Sequence, residues 1–129
     1  MAMIPDAVAR SPYVSLVTYR KSGTPVATPV WAVAEGDELL VWTRDDSWKV
    51  KRLRNDARVT VTPCDVRGRI AEGAQAVEGT GRLLEGKDEL GRVRRAMAGK
   101  YGLRFRLMDS VGALVRGGKR PHVGISVTR

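Results

Sequence analysis

Residues 13–33 read Tyr-Val-Ser-Leu-Val-Thr-Tyr-Arg-Lys-Ser-Gly-Thr-Pro-Val-Ala-Thr-Pro-Val-Trp-Ala-Val. In residues 13–19 the side chains alternate in the period of a strand, with Val14 and Leu16 on one face and Ser15 and Val17 on the other. Lys21-Ser-Gly-Thr24 supplies the turn chemistry of a hairpin, and a second strand is expected over residues 26–33. Pro29 lies inside that second strand and cannot donate a ladder hydrogen bond. The segment therefore belongs at a sheet edge, at a bulge, or where its backbone faces something other than a neighbouring strand.

Working outward, Glu35-Gly-Asp-Glu38 turns the chain into a third strand at residues 39–43. A helix fits residues 46–56: Asp46 can cap it, and Val50, Leu53 and Ala57 form its inward stripe. Strand patterns return at residues 58–63 and, after a loop at 65–69, at 74–84, where Gly79 and Gly81 suggest a sharp bend. Leu90, Val93, Met97 and Tyr101 recur at helical spacing, predicting a helix over residues 87–101 that stops near Gly102. A further helical piece is expected over 105–115 and a last strand over 121–127. Six sequentially paired strands with two or three inserted helices predict a mainly β, α+β domain, a small antiparallel barrel spanning residues 1–129 as one unit.

Composition narrows the function classes. The chain has 129 residues with 43% hydrophobic content, enough for one core. Its net charge of +9 is uneven: residues 44–69 carry +4 and residues 96–129 carry +6, while the remainder is near neutral. Such an excess calls for an anionic partner: nucleic acid, a membrane surface or a phosphorylated ligand. Seven aromatic residues and no RNA-recognition signature argue against nucleic acid. One cysteine, Cys64, and one histidine, His122, give neither an internal disulfide nor a metal site. No apolar run reaches membrane-spanning length and no leader pattern opens the chain, so a cytoplasmic protein without a membrane partner is expected.

Two stretches can carry chemistry. Thr43, Ser47 and Lys49, with Lys51, Arg52 and Arg54 behind them, place hydroxyls and a lysine at a strand end and helix start, as a phosphate requires. Asp45 and Asp46 compete for the same N–H groups, and the cations equally suit the solvated face of an amphipathic helix. Thr28-Pro-Val-Trp31 offers freed backbone groups beside a flat indole, a wall for a tricyclic ring, although Trp31, Trp42 and Trp48 also suit a core. No general acid stands out. Tyr13, Tyr19, Tyr101 and His122 each have a structural alternative, and no catalytic residue is assigned.

These stretches, together with Val41-Trp-Thr43, Pro63-Cys64, Val77-Glu-Gly-Thr-Gly81 and His122-Val-Gly-Ile125, resemble the flavin and deazaflavin oxidoreductases related to pyridoxamine phosphate oxidase. The branch that uses coenzyme F420, an 8-hydroxy-5-deazaflavin, is the most similar. The resemblance implies an FMN-binding-like split β-barrel, a homodimer, and a cofactor in a groove between protomers. It implies ring contacts by Thr28, Pro29, Val30 and Trp31, largely through main chain. Phosphate contacts would come from Thr43, Ser47, Trp48 and Lys49, with Arg54 supporting them or meeting an acidic tail. The activity implied is hydride transfer from reduced F420 to an unsaturated or conjugated small-molecule acceptor. Alternatives are FMN on the same fold, or a protein that binds a deazaflavin, a flavin or a heme- or fatty-acid-like ligand without turnover. Lys51, Arg54, Arg58 and Arg69 on one side, and Arg116, Lys119 and Arg120 on the other, are expected to line the groove.

Overall fold

The computed structural model describes residues 4–44, 47–102 and 122–129. In chain order the elements are α1 (Asp6–Arg10), β1 (Tyr13–Tyr19), β2 (Pro25–Val30), β3 (Ala32–Glu35), β4 (Glu38–Arg44), α2 (Trp48–Asn55), β5 (Arg58–Cys64), β6 (Val77–Leu84), α3 (Lys87–Tyr101) and β7 (His122–Thr128). The strands form one antiparallel sheet in the order β2-β1-β5-β6-β7-β4-β3. β2 and β3 stand at opposite ends of that order, yet only Trp31 separates them in the chain. A spacing of two residues spans at most about 7 Å, so the sheet has to curl until its two ends meet. This closure makes a split barrel.

The sheet has seven strands where the alternation predicts six. The expected strand over 26–33 breaks at Trp31 because the chain changes partners there: Val30 pairs with Val14 of β1, and Ala32 pairs with Val41 of β4. The break is held by side chains of α3. The Ala32 N–H donates to Tyr101 Oη at 2.9 Å, and the Ala32 carbonyl accepts from Lys100 Nζ at 2.6 Å. Pro29 lies in β2, which among the described residues pairs on one side only, as its missing N–H demands. The Lys21–Thr24 turn forms as expected, with Arg20 N–H bonded to Thr24 O and Gly23 at φ 89°.

Other boundaries shift for local reasons. The strand expected from residue 74 begins at Val77, because Ala74 N–H closes a turn onto Ala71 O. Ser47 takes the N-cap position of α2, and Asp46 lies outside the described residues. Val50 and Leu53 are buried but Ala57 is exposed, since the helix has already ended and the Ala57 carbonyl accepts from Gly81 N–H. α1 had no counterpart in the sequence reading; its five residues bury only Val8. The helix expected over 105–115, and Arg116, Lys119 and Arg120, also lie outside the described residues.

Period-two alternation sorts the core into two layers. In β4, Leu39 and Val41 enter the barrel interior with Val14, Leu16, Val61 and Ile125, while Leu40 turns outward to Leu84, Val93, Met97 and Tyr101 beneath α3. Each such fully buried leucine contributes about 1.5–3 kcal/mol. Gly79 and Gly81 serve close approach rather than a bend requiring unusual backbone: neither has positive φ. A Cβ on Gly79 would sit 2.5 Å from the Thr128 carbonyl oxygen, and one on Gly81 would press on Leu53 Cδ2 at 3.0 Å.

Candidate functional site

α2 starts where β4 ends, and its first turns face the tip of the β1–β2 hairpin. Between them opens a cleft of about 840 Å³. The helix contributes Ser47, Trp48, Lys49, Lys51, Arg52 and Asn55 to its walls. The hairpin contributes Tyr19, Arg20, Lys21, Val26 and Thr28. Five of these side chains are cationic, and none of the described lining residues carries a carboxylate. An anion entering the cleft therefore meets attraction from both walls.

The individual groups are held in ways that favour an anionic guest. Arg52 Nε donates to Thr18 Oγ1 at 2.6 Å, which anchors the guanidinium to β1. Burial, and then the neighbouring Arg20, push the Arg52 pKa down from its ordinary value. Lys49 is half-buried; desolvation first, and Arg52 second, lower its pKa as well. Ser47 Oγ is buried and has no hydrogen-bond partner among the described residues, and it does not cap its own helix. A buried hydroxyl without a partner costs about 1–3 kcal/mol. A phosphate at the α2 N-terminus gives that hydroxyl an acceptor and meets the free N–H groups of the first turn. The residues present thus fit the phosphate of a flavin-type cofactor.

Trp48 supplies a flat surface at the mouth. It is 70% exposed, and Lys51 Nζ lies 4.4 Å from its ring centroid. At the far end of the hairpin wall, Tyr19 Oη and Thr60 Oγ1 are 3.2 Å apart. Arg58, paired with Asp56 at 2.8 Å, covers the Tyr19 ring at 4.6 Å.

Of the residues expected from sequence, Thr28, Ser47, Trp48 and Lys49, with Lys51 and Arg52 behind them, meet in this cleft. The others stand elsewhere. Val30 is in the barrel interior, and Thr43 is buried in β4 opposite Val123. Trp31 stacks on Tyr101 at 4.4 Å with planes 10° apart and meets Tyr13 edge-on, so one of its faces is covered. Pro29 packs beside Gly68 of the β5–β6 loop. Arg54 pairs with Glu85 at 2.7 Å, away from the cleft lining. Arg20, Lys21 and Asn55 escaped the sequence reading. Lys21 reads as a turn residue with Arg20 beside it, and only the fold brings that turn to α2, nearly thirty residues later.

Among the described residues no group of three His, Cys, Asp or Glu side chains is placed to hold a metal, and no helix is long and apolar enough to cross a membrane. The His122 ring stacks on Trp42 at 4.9 Å, with Arg94 on the same indole. Cys64 is half-buried, and burial raises its thiol pKa, so it is a poor nucleophile.

A curled antiparallel sheet with a cationic cleft between a hairpin tip and a helix N-terminus defines a split-barrel protein whose cleft suits an anionic ligand. The chain belongs to the pyridoxamine 5′-phosphate oxidase family, whose model matches residues 3–123, and with it to a flavin-type oxidoreductase group. No curated protein matches the chain in sequence. Solved structures share the fold. The conserved hypothetical protein Rv2991 from Mycobacterium tuberculosis is 24% identical with a TM-score of 0.69, over 95% of this chain and 76% of that one. The heme storage protein HutZ from Vibrio cholerae is 13% identical with a TM-score of 0.68, over 95% and 84%. An F420 reductase is 17% identical with a TM-score of 0.63, over 97% and 94%.

Proposed function

We propose that the protein is an F420-dependent reductase, acting on an unsaturated or conjugated small molecule. The observation that carries this reading is the cleft itself: five cations, no described carboxylate and an unpartnered Ser47 hydroxyl, on a family fold whose members handle flavin-type cofactors. When bound, the reduced deazaflavin supplies a hydride for an electron-poor acceptor.

The chain's own residues bind and orient. Ser47, the first-turn N–H groups of α2 and Lys49 hold the phosphate. Arg20, Lys21 and Arg52 receive the carboxylates of an acidic tail. Val26, Thr28 and Trp48 form the apolar wall that positions the rest of the ligand and excludes water. The backbone at the β2–β3 break, held by Tyr101 and Lys100, is the reading's site for main-chain contacts to the ring. A second copy of the chain would close the open side of the cleft. A cleft with more cations than one phosphate needs favours F420 over FMN, which lacks the acidic tail.

Titration of the purified protein with F420 and with FMN, followed by tryptophan fluorescence, tests this. F420 is expected to quench Trp48 at micromolar concentration, and FMN to do so weakly. Stronger quenching by FMN moves the protein to the FMN-using group, and no response to either overturns the reading.

A further inference from the structure

Five of the described arginines, Arg10, Arg54, Arg58, Arg82 and Arg92, each face a carboxylate at 3.8 Å or less. Arg52 is held differently. Its Nε donates to Thr18 Oγ1 at 2.6 Å, and it makes no other hydrogen bond or ion pair among the described residues. Thr18 is fully buried in β1, and its branched side chain has few rotamers open to it. The acceptor is therefore fixed and uncharged: it sets the plane of the guanidinium without neutralising it.

The nitrogens left over decide what can bind. A guanidinium offers two bidentate edges, one through Nε with an Nη, the other through both Nη atoms. Thr18 occupies the first. The open edge is the end-on pair, whose parallel N–H groups match the two oxygens of a carboxylate. Trp48, Arg52 and Asn55 recur at i, i+4 and i+7, which puts Arg52 on the helix stripe that lines the cleft. Arg20, on the facing hairpin, is close enough to act on its charge. Ser47 lies more than one helical turn earlier, so Arg52 is an anion station separate from the helix start.

We propose that Thr18 and Arg52 form a carboxylate-selective station in the cleft, in which Thr18 is a positioning residue that presents Arg52 end-on and Arg52 takes one carboxylate of the ligand bidentately. That this carboxylate belongs to a cofactor tail rests on the F420 reading; the preference for a carboxylate does not. Arg52→Lys keeps the charge but has no fork and no plane for Thr18 to orient.

The test uses the purified full chain with a uniform nitrogen-15 label. The Arg52 Nε–Hε signal is expected to be sharp and slow to exchange in the wild type and in Thr18→Ser, and lost to exchange in Thr18→Val with the backbone amide pattern retained. Glutarate is expected to shift that signal at concentrations several-fold below those of inorganic phosphate. Thr18→Val and Arg52→Lys are each expected to weaken F420 binding about tenfold and FMN binding by no more than about twofold, while Thr18→Ser stays near the wild type. Should Thr18→Val fail to fold, Arg52→Lys leaves β1 intact and carries the comparison. Equal response to glutarate and phosphate overturns the proposal. Equal loss of F420 and FMN affinity does so too, because a general defect does not distinguish the two ligands. Glutarate selectivity without F420 binding leaves the station standing and removes the F420 reading; F420 binding that ignores both variants does the reverse.

Discussion

Lys49 and Ser47 stand two residues apart at the start of α2: one brings charge with little water around it, the other a buried hydroxyl without a partner among the described residues. Neither is comfortable alone, and a phosphate relieves both. Removing the ammonium by Lys49→Ala is expected to weaken binding of a phosphorylated cofactor by about 1.5–3 kcal/mol, the range of a charge-assisted hydrogen bond. Isothermal titration checks this, and an unchanged affinity removes Lys49 from the phosphate site. Both residues were legible in the sequence, because a hydroxyl and a lysine at a helix start are a local pattern. Trp31 was not separable from Trp48 on the same grounds. An indole next to a proline and an indole next to a lysine look alike until Tyr101, seventy residues further on, is seen to stack on the first.

At the level of elements, the hairpin, the third strand and the α3 stripe could be read from alternation and helical spacing, since each is decided within about fifteen residues. The split of the second strand could not. It is set by a change of strand partner and by an anchor on α3: Lys100 reaches three backbone carbonyls, and Tyr101 Oη bonds both sides of Ala32. Lys100→Met removes that donor from the Ala9 and Ser11 carbonyls and leaves Ala32 to Tyr101 alone, and is expected to lower stability by about 2–3 kcal/mol, measured by urea unfolding. A loss under 0.5 kcal/mol, the range of ordinary surface substitutions, would show that the anchor is dispensable. The other edge, β3–β4, has an ionic clasp. Glu38 accepts from the Ser126 hydroxyl and pairs with Arg92 at 2.9 Å, and Arg92 also reaches Glu35 at 3.3 Å. The Ser126 hydrogen bond first, and Arg92 after it, hold the Glu38 carboxyl below its usual range against an opposing effect of burial. A carboxylate with a lowered folded-state pKa stabilises the fold fully above the unfolded value of about 4.3, and that contribution fades as pH falls through the folded value. Glu38→Gln is therefore expected to cost about 1 kcal/mol near neutrality and progressively less below pH 4. A constant deficit across that range would place the effect in packing.

For the whole molecule the informative quantity is where the charge lies. Segment sums placed the excess on residues 44–69 and 96–129. The fold keeps Lys49, Lys51 and Arg52 from the first of these in the cleft, but turns Arg54 to Glu85 and Arg58 to Asp56. In their place it recruits Arg20 and Lys21 from a segment whose sum is slightly negative, which no sum over the chain reveals. This exchange gives the two walls different tasks under the proposed function: the helix wall grips the phosphate at close range, and the hairpin wall attracts a flexible acidic tail through partly solvated charges. Short contacts resist salt, whereas interactions across solvent decay with a Debye length that falls from about 14 Å at 0.05 M to about 6 Å at 0.3 M. Affinity for F420 is thus expected to rise with tail length at low ionic strength, and the gain per added glutamate to shrink several-fold at 0.3 M, while FMN binding changes far less. Reversing both hairpin charges, Arg20→Glu with Lys21→Glu, is expected to abolish the tail-length dependence and leave the FMN affinity within about threefold. If long-tailed and short-tailed F420 bind equally at 0.05 M, the hairpin cations serve something other than the tail.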